Sequence, residues 1–247
     1  MTETNRLSGR VAVITGSGRG LGRRCALAFG REGAIVVAVA QREGSDPTGT
    51  VEETAARVEA AGGSALSWHC DVADPDAIED MVRAVRDRYG RIDILVNHAA
   101  ARASGEISSI QPRHWRRLVE VNLNGVFSSC RAVIPTMLGQ GSGSIVNVSA
   151  EPGAPSSYRA TRRAVEELSI GLAEEQAANG IAVNVFVPSE EPSADVEGSG
   201  GRGGEDAERD DAEAVVRLSL QRPETCTGAV LDAAAVLARL GPRPDPG

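Results

Sequence analysis

Between Thr15 and Gly22 the chain reads Thr-Gly-Ser-Gly-Arg-Gly-Leu-Gly, set between a β-branched run, Val11 to Thr15, and an amphipathic stretch, Leu21 to Arg31. A strand that passes into a helix through alternating glycines commits the chain to a βα unit, because the glycines permit a tight turn that side chains would block. Free N–H groups and the helix dipole then meet at the helix start, where negative charge is favoured. The pyrophosphate of a dinucleotide is the expected occupant, since the strand before and the helix after are both in place.

The same unit repeats along the chain. Apolar runs recur at Ala34 to Ala40, Ala65 to Cys70, Ile92 to Asn97, Ser144 to Ser149 and Ile181 to Val187. Their unbroken character predicts strands covered on both faces. Amphipathic stretches at Thr50 to Ala61, Pro75 to Tyr89, Gln111 to Leu138 and Tyr158 to Asn179 separate them. A further helix is expected over about Ala207 to Leu220 and a seventh strand near Ala229 to Leu231. Strands alternating with helices predict an α/β fold: a single doubly wound parallel sheet, a Rossmann fold of about seven strands with helices on both faces, spanning residues 1–247 as one domain. Aromatic residues make up only 3% of the chain, so Ala, Val, Leu and Ile must fill the core. Ser189 to Glu213, rich in Gly, Ser, Asp and Glu, is predicted to be a mobile acidic loop, and the proline-rich tail at 241–247 to fray.

Charge and composition narrow the function. A formal net charge of −8 argues against nucleic acid, whose binding needs clustered cations. Met1 to Arg10 is polar, and no later run approaches the ~20 apolar residues of a membrane span, so no membrane partner and a cytoplasmic location are expected. Cys25, Cys70, Cys130 and Cys226 lie too far apart for a metal knuckle and are read as small buried hydrophobes, with no metal site. All 26 basic residues are Arg, and the absence of Lys removes Schiff-base chemistry.

The spacing Thr-Gly-x-x-x-Gly-x-Gly resembles the short-chain dehydrogenase/reductase family, and further motifs follow in family order from Ser8 to Pro188. The resemblance implies that Thr15, Gly16, Gly18, Arg19, Gly20, Leu21 and Gly22 hold the cofactor. It gives Asp71, in Cys70-Asp71-Val72, the adenine amine, with Val72 beside it. Ile92 to Ala100 is similar to the family's fourth strand, which places Asn97 and Ala99 at the cofactor, while His98 and Ala100 depart from the usual Asn-Asn-Ala-Gly ending. Val121 to Phe127 matches the helix that carries a catalytic Asn, here Asn122, and Pro188 stands where the sixth strand meets the cofactor. Family members associate through two long helices, so a homodimer or homotetramer is expected.

The second strand ends Ala38-Val39-Ala40-Gln41-Arg42, without the carboxylate that receives the ribose 2′-hydroxyl of NAD. Arg19 and Arg42 suit a 2′-phosphate, so NADP(H) is expected in preference to NAD(H).

The family's catalytic Tyr donates a proton to the substrate carbonyl, its Lys steadies the phenolate and grips the nicotinamide ribose, and its Ser polarises the carbonyl. Tyr158 matches the acid, but Arg162 stands where Lys is expected, on the same helix face at i+4, and is the expected ribose contact. Arg supplies the cation yet does not release a proton. Ala150 aligns with the catalytic Ser; Ser149 is the nearest replacement, with Ser156 and Ser157 as alternatives that the sequence does not separate. His98 reads either as a proton carrier or as a packing residue. The expected function is an NADP(H)-dependent oxidoreductase acting on a carbonyl or alcohol of a small molecule, with Tyr158, Arg162, Asn122 and Ser149 in the catalytic centre. Two other readings stay open: a non-redox dehydratase, cyclase or epimerase using Tyr158 and Arg162, and a catalytically inactive cofactor-binding partner protein, suggested by the Ala150 and Arg162 departures.

Overall fold

The computed structural model describes residues 5–42, 49–103, 105–189 and 202–240. Strands β1 (Val11–Thr15), β2 (Ile35–Ala40), β3 (Ser64–His69), β4 (Ile94–Asn97), β5 (Gly143–Val148), β6 (Ile181–Val187) and β7 (Val230–Asp232) form one parallel sheet in the order β3-β2-β1-β4-β5-β6-β7. Helices α1 (Gly20–Arg31), α2 (Val51–Ala60), α3 (Pro75–Tyr89), α4 (Pro112–Val119), α5 (Gly125–Gln140), α6 (Ser156–Gln176), α7 (Arg202–Ser219) and α8 (Ala233–Leu240) cover it. This is the doubly wound sheet that the sequence predicts.

The two-residue period of a strand explains the two cores. Ala12 and Ile14 of β1 point with Val36, Ile94, Val96 and Phe186 toward Leu21, Cys25 and Phe29 of α1 and Val215 and Leu218 of α7. Val11 and Val13 point the other way, with Val37, Leu95 and Ile145, toward Ile78 and Val85 of α3, Val133 of α5 and Val165 of α6. The two edge strands are less covered than the interior ones: Ala65 to His69 of β3 and Val230 and Leu231 of β7 are half-buried. From β1 the chain goes to β2 on one side and later returns to β4 on the other, which opens a crevice beyond the strand ends between β1 and β4.

The long helix expected over Gln111 to Leu138 is two α-helices joined by a π-helical turn, Glu120–Asn124. Such turns concentrate at functional sites. A correction concerns the acidic stretch: residues 202–213, predicted as loop, belong to α7, which starts before Ala207. Two acidic side chains near the end of this stretch, Asp211 and Glu213, are buried and engaged. Arg6 donates to both oxygens of Glu213 at 2.9 Å, Arg217 Nε donates to the same carboxylate at 2.8 Å, and Asp211 accepts from Ser189. Burial alone would raise the Glu213 carboxyl, but the two guanidiniums together outweigh it and hold it below the usual range. The rest of the predicted loop, residues 190–201, and the tail at 241–247 lie outside the described residues. α8 was not anticipated from the sequence; it is a short Ala-rich helix packed against α7.

All four cysteines are buried, as their reading as hydrophobes requires. Burial pushes the Cys25 and Cys130 thiols up to about 12, which leaves them inert as nucleophiles. Among the described residues no helix is long and apolar enough to cross a membrane.

Candidate active site

The glycine loop is built from the inside. Gly16 and Gly20 take φ of +70° and +56°, and a Cβ on Gly16 would lie 2.7 Å from the backbone of Ala99. Arg23, in the first turns of α1, is buried; its Nε donates to the Gly18 carbonyl at 2.9 Å and to Thr54 Oγ1 at 3.2 Å, and its Nη2 meets Glu53 at 3.0 Å. Thr54 in turn donates to the Ser17 carbonyl at 2.8 Å, and Ser17 Oγ accepts from Val39 N–H at 2.8 Å. The loop's carbonyls at Ser17 and Gly18 are thereby drawn into the protein. At the start of α1, Arg19 is extended and gives no side-chain cap, and the space above Gly20 is open. Arg23 braces the glycine loop although the sequence motif does not mark it.

At the other end of the crevice, Gln41 and Arg42 are exposed beyond β2. Asp71, just beyond β3, accepts from Ala73 N–H at 3.0 Å, while Val72 is buried against Gly125. Arg117 of α4, unmarked by any motif, donates through Nη2 to both Asp71 oxygens at 3.2 and 3.1 Å and to Gln41 Oε1 at 3.2 Å.

The ends of β1 and β4 are locked together by Thr15, whose Oγ1 accepts from the N–H groups of His98 at 3.1 Å and Ala99 at 3.2 Å. Asn97 is turned into the sheet and donates to Asn147 Oδ1 at 2.9 Å. His98 Nδ1 lies 3.2 Å from the Gly16 carbonyl, a tie to the glycine loop. Pro188 is buried after β6, and Ser189 beside it donates to Asp211 from N at 3.1 Å and Oγ at 3.0 Å. Asp211 is 1% exposed, and burial raises its carboxyl above the ordinary range.

Tyr158 and Arg162 lie one turn apart on α6. Arg162 is 0% exposed, its Nη2 donates to the Ala99 carbonyl at 2.7 Å and the His98 carbonyl at 3.4 Å, and its Nε lies 3.4 Å from the Tyr158 hydroxyl. Its Nη1 is buried without a hydrogen-bond partner. Asn122, in the π-helical turn, accepts from Ala101 N–H at 2.8 Å and donates to the Ala101 carbonyl and Thr161 Oγ1 at 3.0 Å each, which joins the segment after β4 to α6. Ser149 donates to Glu166, which also pairs with Arg163, so its hydroxyl is engaged on α6. Ser157 is buried with its hydroxyl unpartnered, and Ser156 is exposed.

A second guanidinium reaches Tyr158. Arg102, just beyond β4, is held by Glu151 through two bonds of 2.6 and 3.0 Å, and its guanidinium carbon lies 4.4 Å from the centre of the Tyr158 ring. With Arg102 over its ring, Tyr158 is 4% exposed. Glu151 directly follows Ala150, so an ion pair with a buried carboxylate and an exposed guanidinium borders the position where the family carries its Ser.

The short chain dehydrogenase family profile matches residues 10–192. The chain is 34% identical over 188 residues, 74% of its own length and 74% of the relative's, to a 3-oxoacyl-acyl-carrier-protein reductase of Thermotoga maritima. It is 32% identical over 190 residues, 74% of this chain and 67% of the relative, to a 3beta-hydroxysteroid dehydrogenase of Mediterraneibacter gnavus. Among solved structures, one of a short-chain dehydrogenase/reductase from Burkholderia xenovorans superposes with a TM-score of 0.80 and 32% identity, over 92% of this chain and 96% of that one. A metagenomic short-chain oxidoreductase in complex with NADP superposes with a TM-score of 0.77 and 29% identity, over 92% and 99%.

Proposed function

This chain belongs to the short-chain dehydrogenase family, and from that premise we propose that it is an NADP(H)-dependent oxidoreductase acting on a carbonyl or alcohol group of a small molecule. The observation that carries the reading is the Tyr158–Arg162 pair, in which a buried guanidinium sits 3.4 Å from the phenol and keeps one unpartnered nitrogen. A buried unpartnered donor is costly, so a ligand hydroxyl that accepts from it is favoured. The uncapped start of α1 and the open space at Gly20 fit a phosphate group in the same way. Bound NADPH supplies a hydride.

In this reading Tyr158 holds the proton that passes to the carbonyl oxygen. Arg162 stays charged, hydrogen-bonds the phenol through Nε, and is aimed by the carbonyls of Ala99 and His98, leaving Nη1 for a nicotinamide ribose hydroxyl. Asn122 acts at one remove, holding Ala101 and Thr161 and with them the walls on which the pair stands. Ser149 is occupied by Glu166, so the missing hydroxyl at Ala150 leaves Tyr158 as the principal donor to the carbonyl. Thr15, Gly16, Gly18, Gly20, Leu21, Gly22, Asn97, Ala99, Val72 and Pro188 line the proposed cofactor crevice, with Arg19 and Arg42 toward the 2′-phosphate and Asp71 toward adenine. Phe127 and Leu138, exposed on α5, support association of copies of this chain through that helix.

A second reading, non-redox chemistry on the same pair, draws on Arg162, because a guanidinium closes the proton relay that an ammonium would allow. Two measurements separate the readings. Fluorescence or calorimetric titration should show tighter binding of NADPH than of NADH; equal affinity, or binding of neither, refutes the cofactor assignment. Deuterium from labelled NADPH should then appear in product across a panel of carbonyl compounds, whereas label-free product without cofactor consumption favours the non-redox reading.

A further inference from the structure

Arg117 serves none of the contacts assigned above to cofactor or substrate. It projects from α4, yet its Nη2 lies 3.2 Å from Gln41 Oε1 and 3.1 to 3.2 Å from both oxygens of Asp71. Gln41 follows β2 and Asp71 follows β3, and these strands are neighbours in the sheet. One guanidinium from a third element therefore spans the strand ends where, on the proposed reading, the ribose 2′ position and the adenine amine are received.

Stability alone is a weak reason for that placement. The Arg117 and Asp71 side chains are 44% and 32% exposed, and ion pairs so open to solvent contribute little. Electrostatics at a 2′-phosphate give a stronger one. An Asp71 carboxylate without a counter-charge would repel a phosphate bound nearby, and the first residue after β2, Gln41, carries no charge of its own. A guanidinium offers donors to a carboxylate and a phosphate at once, in the geometry both prefer.

We propose that Arg117 is a specificity-determining residue for the cofactor, contacting the adenosine 2′-phosphate while neutralising Asp71. The proposal rests on the NADP(H) reading and adds to it a residue from α4 beyond Arg19 and Arg42. A 2′-hydroxyl gains little from the same guanidinium, so discrimination between the two cofactors is the expected readout.

The test compares wild type, Arg117→Gln and Arg117→Lys by calorimetry with NADPH, NADH, 2′,5′-ADP and 5′-AMP. Losing one charge-assisted contact should weaken NADPH and 2′,5′-ADP by about tenfold or more in Arg117→Gln, while NADH and 5′-AMP stay within about twofold. Arg117→Lys keeps the charge and should fall between, with a shallower loss; if Arg117→Gln fails to fold by circular dichroism, a drop in the NADPH to NADH affinity ratio in Arg117→Lys carries the test. An unchanged ratio, or equal loss of NADPH and NADH, overturns the proposal while leaving the NADP(H) reading standing. A wild-type protein that binds neither cofactor overturns both.

Discussion

Replacing Arg162 with Met separates two roles that one buried guanidinium could have. Met is unbranched and of similar reach, so the change removes the N–H groups and charge with little loss of packing. In the ligand-free protein the substitution forfeits one strong charge-assisted bond, to the Ala99 carbonyl at 2.7 Å, worth about 1.5–3 kcal/mol. The 3.4 Å contacts to His98 and Tyr158 are weak by comparison. Against this, the variant no longer buries the unpartnered Nη1, relieving about 1–3 kcal/mol. The two effects nearly cancel, so the apo melting temperature should move by no more than about 5 °C. Cofactor binding has no such compensation. Loss of the ribose donor should weaken NADPH by about 10- to 100-fold, since each 1.4 kcal/mol is a factor of ten. The assay is thermal unfolding with and without NADPH at about 100 times the wild-type Kd, where the wild type gains about 2.7 kcal/mol and the variant about 1.4 kcal/mol or less. An apo variant destabilised by more than about 4 kcal/mol would show that Arg162 is a structural pillar. Undiminished stabilisation by NADPH would refute its role as a cofactor donor.

Two further outcomes follow from the site and its surroundings. Tyr158→Phe should lower turnover by about 10²- to 10⁴-fold with NADPH affinity changed less than about twofold, measured by steady-state kinetics beside titration; parallel loss of both would place Tyr158 on the cofactor instead. Asp211 has its folded-state carboxyl raised chiefly by burial, so its contribution to stability is present at low pH and is lost as pH rises through the raised value. Asp211→Asn keeps an acceptor for Ser189 and removes that loss, so urea unfolding should find the variant at least as stable as wild type at pH 7 and relatively less favoured at pH 4. A variant whose deficit grows from pH 4 to pH 7 contradicts this sign.

Much of the architecture was legible because its signals are local. The spans of β1, β6 and α3 agree with the residues expected, and the Tyr158–Arg162 face follows from helical spacing alone. The parallel doubly wound sheet and the position of the glycine loop likewise follow from alternation and from the strand before it. What escaped the sequence depends on convergence of distant segments. Arg117 and Asp71 are 46 residues apart, Arg102 and Glu151 are 49 apart, and Arg23 finds Thr54 31 residues on. The reading of Glu213 as part of a loop has the same origin, because Glu213 pairs with Arg6, 207 residues away. An acidic segment looks solvated until its counter-charges are in place.

The π-helical turn at Glu120–Asn124 makes chain length at this point a matter of rotation. On its near side Asn122 must face Ala101 and Thr161; on its far side Val126, Cys130, Val133 and Met137 must face the sheet. Each residue added to or removed from an α-helix turns everything beyond it by about 100°. Deleting one residue between Asn122 and Val126 would restore regular α-helical bonding and so improve the helix taken by itself, yet it would swing either the amide or the apolar stripe out of register. Substitutions along this rod can be absorbed one at a time, whereas a change of length cannot, and lineages descending from this sequence should vary there in composition while holding the count of residues constant.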